Sequence, residues 1–299
     1  HYFYRNICAL FVATFGVLMG KWWYGLLYRE SVFYFYFRLL NNDQLAEDYF
    51  FSFTSWFRKP LWAHEAEKRG LSVSIYCHSI NMDALDSKKP IRVDIYGFKI
   101  MLWNKFIVWD DQQEHFFMRY RPKATFTKVG YIDHAGLAYN HFPKSEKKIL
   151  SVFDITPMRP VKHTSHGLVS ATYTEEMVLS FLGDIIKIFN DDTWEILWKA
   201  KRTVDSNFIS NSFQRKRLNL IKGHMIRIEP GIGARSLVEA SDAVITLPFS
   251  SPSLIAKMKG ISSIYYDSSG LVKKTENHGL PVLKSKAELQ EWFDSLNAN

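Results

Sequence analysis

The stretch Ala243-Val244-Ile245-Thr246-Leu247-Pro248-Phe249-Ser250-Ser251-Pro252-Ser253 decides how the chain is read. Its apolar part predicts a buried strand over Ala243 to Leu247, and the residues from Pro252 to Lys259 predict a helix, with a hydroxyl-rich turn between. A helix start presents free N–H groups and the positive end of the helix dipole, which suits a phosphate, and serine hydroxyls add donors. The same residues also make an ordinary cap, with Ser251 at N-cap and Pro252 at the first helical position.

Working outward, the pattern keeps alternating. Upstream lie strands over Ile149 to Asp154, Thr193 to Lys199 and His224 to Ile228, with helices over Glu175 to Phe189 and Ala234 to Ala240. Downstream come a strand over Ser262 to Tyr266 and a helix over Lys286 to Leu296. A first alternation precedes these: strands over Tyr49 to Phe53, Leu71 to Cys77, within Lys99 to Trp109 and over Ala124 to Val129, with helices over Leu61 to Arg69, closed by Gly70, and Gln112 to Tyr120. Strand and helix in alternation mean a mostly parallel sheet covered by helices. The expected fold is α/β with two Rossmann-like domains, residues 1–142 and 143–299, joined across the Pro143-containing stretch Ala138 to Lys148.

Composition excludes several classes. With 299 residues, 47% hydrophobic and 23% charged, the chain is too long for one small module and too apolar for disorder. Cys8 and Cys77 belong to no CxxC or Cys/His spacing, so neither a disulfide scaffold nor a metal module is expected. The 38 Lys plus Arg against 30 Asp plus Glu give +8, which favours anionic partners. A start at His1 without methionine predicts a fragment or processed form whose first domain lacks its beginning. Ile7 to Gly20 is an uncharged apolar run between Arg5 and Lys21, short of the roughly 20 residues that span a bilayer, and reads as an interfacial or core helix.

In such sheets ligands sit outside the carboxyl ends of the strands, so the loops there carry the candidates. Lys199, Lys201 and Arg202 end a strand at the cleft edge, where they can neutralise a leaving phosphate in place of a divalent ion. No DxD or His/Cys cluster is present, so no metal is expected. Asp110 and Asp154 each close a strand and are candidates for a general base, against loop capping. Thr156 and Arg159 follow Asp154, and His64 and Glu65, after the Arg58 to Trp62 loop, are further catalytic candidates. His163 and His166 read as solvated, Gly231 and Gly233 as a turn, Phe33 to Phe37 as core, and Arg215 to Arg217 as solvated surface with no nucleic-acid motif.

The serine turn, with Tyr265-Tyr266-Asp267-Ser268-Ser269-Gly270 and His278-Gly279-Leu280-Pro281-Val282-Leu283, resembles the bacterial polysaccharide-biosynthesis proteins known for a Pro-Phe-Thr-Ser motif. Arg58-Lys59-Pro60-Leu61-Trp62, Glu65 to Gly70, Val108-Trp109-Asp110, Val129-Gly130 and Val152-Phe153-Asp154 to Arg159 fall in that family's order, over about residues 45 to 296. Ser250 stands where the family has Thr, which keeps the hydroxyl, and Pro252-Ser253 stands where Thr-Ala is usual. The resemblance implies two facing Rossmann-like domains of GT-B type and a glycosyltransferase-like enzyme of surface polysaccharide assembly, O-antigen or capsule. It is distantly similar to transferases that take sialic-acid-like or Kdo-type sugars from CMP. It further implies that Ser250, Ser251 and Ser253 hold a donor phosphate and that the loop at Glu229 holds the base. The nucleotide-sugar is then a substrate, with no other cofactor, and the acceptor is a glycan or lipid-linked glycan. Alternatives on the same architecture are a nucleotide-sugar epimerase or hydrolase and a non-catalytic glycan- or phosphate-binding subunit. Nucleotide sugars and the basic, aromatic N-terminal segment together place the expected work at the cytoplasmic face of an anionic membrane, peripherally.

Overall fold

The computed structural model describes residues 2–52, 58–77, 98–132, 146–157, 174–201, 210–229 and 231–298. They fall into two compact units, one of the residues up to 132 and one of the residues from 146 onward. The domain boundary expected at 142/143, Arg159, His163, His166 and Arg202 lie outside the described residues.

The first unit opens with α1 (Tyr2–Leu18) and α2 (Trp23–Leu39). Arg5 lies against Phe35 and Gly16 against Tyr24, so the two helices form an antiparallel hairpin. Then come β1 (Asp48–Ser52), α3 (Leu61–Lys68), β2 (Ser72–Tyr76), β3 (Lys105–Val108), α4 (Asp111–Met118) and β4 (Thr125–Lys128). The four strands pair in chain order and all in parallel. Val73 and Ile75 of β2 are buried, as are Phe106 and Val108 of β3 and Phe117 of α4, whose ring stacks on Phe106 at 5.0 Å. The Lys99 to Trp109 stretch yields one strand, its start being a 3-10 turn at Phe98–Ile100. The Phe33 to Phe37 run is core only at its end: Phe37 stacks on Trp62 at 5.4 Å, while Phe33 and Tyr36 are exposed.

The second unit holds β5 (Lys148–Phe153), α5 (Glu175–Ile188), β6 (Trp194–Lys199), α6 (Asn211–Ile221), β7 (Ile226–Ile228), α7 (Ala234–Glu239), β8 (Ala243–Thr246), α8 (Ser251–Met258), β9 (Ser262–Tyr266), β10 (Glu276–Asn277), β11 (Leu280–Leu283) and α9 (Lys286–Asn297). Its seven strands lie in the order β10-β11-β9-β8-β5-β6-β7, and every pair but β10–β11 is parallel. His278 and Gly279 both have positive φ, at 52° and 69°, which is the two-residue turn that a tight hairpin needs between β10 and β11. The core is continuous: Leu150, Val152, Ile196, Trp198 and Ile245 of the sheet meet Phe181, Leu182 and Ile185 of α5. Burying a side chain of this size contributes about 1.5–3 kcal/mol, so this layer dominates the unit's stability.

The strand order sets where a ligand can bind. The chain winds outward from β5 through β6 to β7, then returns to β8 on the other side of β5 and winds the opposite way. At such a reversal the connecting loops part and leave a crevice at the carboxyl ends of the two central strands. Here those strands are β5 and β8, and their exits are Asp154 and the serine turn.

Candidate functional site

Across the second sheet, Ile228, Lys199, Phe153, Thr246 and Tyr265 lie in register on neighbouring strands. Every described candidate of this unit is carried at or just beyond that row: Glu229 after β7, Lys199 and Lys201 at the end of β6, Asp154 after β5, and Ser250 and Ser251 after β8. The structure thus brings residues up to about a hundred positions apart to one edge of a parallel sheet.

The turn after β8 is built around Phe249. Its φ of 61° is left-handed, a conformation that costs a residue with a side chain about 1–2 kcal/mol. Its ring is buried and packs edge-on against Tyr265 at 5.6 Å, a burial worth about 1.5–3 kcal/mol, which offsets the strain and fixes the turn. Helix α8 starts one residue earlier than the pattern suggests, with Ser250 rather than Ser251 at N-cap. At the far end, Gly260 at φ 73° lets Ile261 N–H reach Ala256 C=O at 2.9 Å and closes the helix.

Ser250 occupies the cap position without capping. Thr174, Ser210 and Ser285 each accept a first-turn N–H for α5, α6 and α9, but the Ser250 side chain makes no such bond. Among the described residues neither the Ser250 nor the Ser251 hydroxyl has a hydrogen-bond partner. Pro252 has no N–H, so the amides left unmatched in the first turn belong to Ser251 and Ser253. Ser253 departs from the expected phosphate role. Its buried hydroxyl donates to Ile264 C=O at 2.8 Å and accepts from Thr246 Oγ1 at 2.8 Å, which locks α8 onto β8 and β9. What remains at the helix start is two hydroxyls, two amides and the helix dipole, about half a positive charge.

Asp154 is placed differently. Its buried carboxylate accepts from Arg217 Nη1 at 3.0 Å, Trp198 Nε1 at 3.2 Å and Lys201 N–H at 3.3 Å. Burial pushes this carboxyl up to about 6, opposed first by the Arg217 charge, so the carboxylate is ionised at neutral pH. Arg217, read from sequence as solvated surface, is 1% exposed and lies over the rings of Trp198 and Phe213 at 5.0 and 5.2 Å. The signal was available: Ser210 caps α6, and Phe213, Arg217 and Ile221 repeat every fourth residue on its buried face. Lys199 is buried rather than solvated, and its ammonium is lowered by desolvation while Asp154 opposes that fall. Lys201 and Glu229 are exposed, and Thr156 is half-buried beyond Asp154.

The remaining candidates lie in the first unit. Glu65 ties helices together, accepting from Tyr34 Oη at 3.3 Å and facing Arg38 and Arg69, each at 3.7 Å. Asp110 is the N-cap of α4, accepting Gln113 N–H at 2.9 Å. His64, in the first turn of α3, is half-buried and has no hydrogen-bond partner among the described residues. Burial and then the Lys59 charge lower its pKa, so the imidazole is neutral at pH 7. A hollow of about 670 Å³ between Trp194, His224 and Asp191 opens at the amino ends of β6 and β7, the edge of the second sheet opposite Asp154 and the serine turn.

A parallel sheet reversing at β5 and β8, with a hydroxyl-bearing helix start at the reversal, defines a doubly wound α/β fold whose switch point carries the candidate site. The family model for polysaccharide biosynthesis PFTS motif proteins matches residues 7–293, and the chain belongs to that family. No curated protein matches the chain in sequence. A solved structure described as a UDP-N-acetylglucosamine 2-epimerase from Listeria monocytogenes is 10% identical, covering 92% of this chain and 71% of its own, with a TM-score of 0.51. An α,α-trehalose 6-phosphate synthase from Burkholderia multivorans is 10% identical over 91% of this chain and 68% of its own, with a TM-score of 0.45. The C-terminal domain of a glycosyl transferase group 1 family protein from Francisella tularensis is 17% identical over 51% and 76%, with a TM-score of 0.30. The likeness is one of fold, α/β with parallel sheets covered by helices, as in GT-B proteins.

Proposed function

We propose that this chain is a glycosyltransferase of polysaccharide biosynthesis that holds the phosphate of a nucleotide-sugar donor at the start of α8 and transfers the sugar to a glycan or lipid-linked glycan. One observation carries the reading. Ser250 and Ser251 keep hydroxyls without a hydrogen-bond partner among the described residues at the switch point of the sheet, whereas the described serine and threonine caps of α5, α6 and α9 are used internally. Helix dipole, amides and hydroxyls together favour an anion without a metal, and Lys201 and Arg202 are proposed to add charge. Glu229 is proposed on the base or ribose, at the end of β7. A CMP-activated acidic sugar is the donor class we favour, and O-antigen or capsule the product.

For the base we propose His64. Glu65 and Asp154 are engaged in internal ion pairs and Asp110 caps a helix, while His64 is neutral and has no hydrogen-bond partner among the described residues. We place the reaction at the cytoplasmic face of the membrane, where such donors are made. Incubation with CMP-, UDP- and GDP-sugars, with and without a glycan acceptor, tests the reading. Transfer is expected from one donor class. Ser250→Ala/Ser251→Ala should weaken nucleotide binding about 30-fold or more, the loss of two charge-assisted hydrogen bonds, with the fold intact. His64→Gln should keep binding and lower turnover by about 100-fold or more. Unchanged nucleotide affinity in the double variant would remove the phosphate site, and product without acceptor would favour the epimerase or hydrolase alternative.

A further inference from the structure

Helix α1 packs only a narrow strip against α2: Tyr2, Asn6, Ala9, Ala13 and Gly16, spaced three and four apart. Gly16 is there because the Tyr24 ring stands where any β-carbon would be. The rest of the circumference points outward, and it is apolar. Phe3, Phe11, Phe15 and Leu18 are 79%, 72%, 67% and 80% exposed, and the only charge on the helix is Arg5. Trp22 at the hairpin tip is 68% exposed, and Trp23, Leu26 and Leu27 continue the surface onto α2.

A helix apolar almost all round is stable in water only when something encloses it. A protein groove covers one face, whereas a lipid phase covers all of them. The charges agree with a lipid surface. Residues 2–40 carry Arg5, Lys21, Arg29 and Arg38 against the single acid Glu30, which is already paired with Arg58 at 2.8 Å. Arg38 faces Glu65, while Arg5, Lys21 and Arg29 have no acidic partner among the described residues. Tryptophan, tyrosine and arginine or lysine together are the side chains of the headgroup zone. Crossing is a different matter. Among the described residues no helix is long and apolar enough to span a membrane, and Lys21 at the tip would be carried into hydrocarbon by an upright hairpin.

We propose that the α1–α2 hairpin lies in the headgroup–acyl boundary of one leaflet of an anionic membrane, with α1 immersed on its exposed sides and α2 joining it to the first unit through Phe37, Trp62 and Glu65. The proposal rests on the membrane location put forward above and is independent of the donor chemistry. Flotation of the full chain with vesicles of phosphatidylethanolamine and phosphatidylglycerol tests it. The chain should float at low salt, about tenfold less with pure phosphatidylcholine. Phe11→Ser/Phe15→Ser/Leu18→Ser, all at exposed positions, should lower partition about a hundredfold with the melting temperature and the nucleotide-induced thermal shift unchanged. Should that variant not fold, brominated phosphatidylglycerol should quench the wild-type fluorescence, and Trp22→Phe/Trp23→Phe should lose most of the quenching. No flotation of the wild type, equal flotation of the triple variant, or a dimer in solution that the triple variant dissociates would each overturn the proposal, the last by assigning the surface to a second copy. A nucleotide shift that survives any of these results leaves the donor reading standing.

Discussion

The turns after β5 and β8 leave the same switch point in the same direction, and both carry polar groups, yet they use them in opposite ways. After β5 the polar group is Asp154, enclosed by Arg217, Trp198 and the Lys201 amide. After β8 the polar groups are Ser250 and Ser251, whose hydroxyls have no partner among the described residues. A carboxylate in a crevice attracts attention as a catalyst, but this one is the anchor of a buried ion pair that holds β5, β6 and α6 together. The position of a residue at a strand end therefore says where chemistry can occur, and the partners already made say whether that residue is available for it.

The largest effect should come from breaking the closed side. Arg217→Met leaves Asp154 buried with no countercharge and should cost about 3–5 kcal/mol in urea unfolding. Arg217→Met/Asp154→Asn should recover at least half of that, because the unpaired charge is gone and the single asparagine oxygen still accepts from one of the two remaining donors, Trp198 Nε1 or the Lys201 amide. A single variant within about 1 kcal/mol of the wild type would mean that the pair does not hold the fold. Asp154 would then return as a candidate for the base.

Acidity sharpens the contrast further. The folded-state pKa of Asp154, raised by burial to about 6, exceeds that of an unfolded aspartate, about 3.9. Between those values the folded chain holds a proton that the unfolded chain has released. The contribution of this group to stability is therefore greatest below about pH 4 and falls as pH rises to about 6, by up to about 3 kcal/mol. The wild type minus Asp154→Asn difference in unfolding free energy should show that decline, while Ser250→Ala/Ser251→Ala should follow the wild type across the same window. A difference that is flat with pH would show that Arg217 holds the carboxylate ionised throughout.

Much of this was legible in the sequence, for a physical reason. Buried parallel strands such as Ala243–Thr246 and Lys148–Phe153 are largely apolar runs, and caps and closing glycines bound their helices, so the central strands and their ends could be read residue by residue, while α6 and the short β10 and β11 were missed. What could not be read is partnership. Arg215-Lys216-Arg217 is a charge run, and only its periodicity with Phe213 and Ile221 distinguishes the one arginine that turns inward. Ser253 and Ser251 look alike in sequence, yet one is held by Thr246 and Ile264 and the other has no hydrogen-bond partner among the described residues. The second helix of the N-terminal hairpin escaped because its many aromatics suggest a core, whereas Phe33 and Tyr36 face outward.

The smallest predicted effect lies in the other sheet, where the same contrast can be tested on a half-buried group. Asp110 follows β3 as Asp154 follows β5, but its observed task is local: Oδ1 accepts Gln113 N–H at 2.9 Å, and Gln113 in turn accepts Trp109 N–H at 2.9 Å and donates to Cys77 C=O at 3.1 Å. Asparagine caps a helix about as well as aspartate, and alanine costs about 1 kcal/mol. If capping is the whole role, Asp110→Asn should match the wild type in both melting temperature and sugar transfer, and Asp110→Ala should lose about 1 kcal/mol with turnover nearly unchanged. The asparagine variant separates the two roles because it keeps the acceptor and removes the base. A fall in its turnover of about 100-fold at unchanged stability would move the base from His64 to Asp110 and make the carboxyl end of β3 the open side of the first unit.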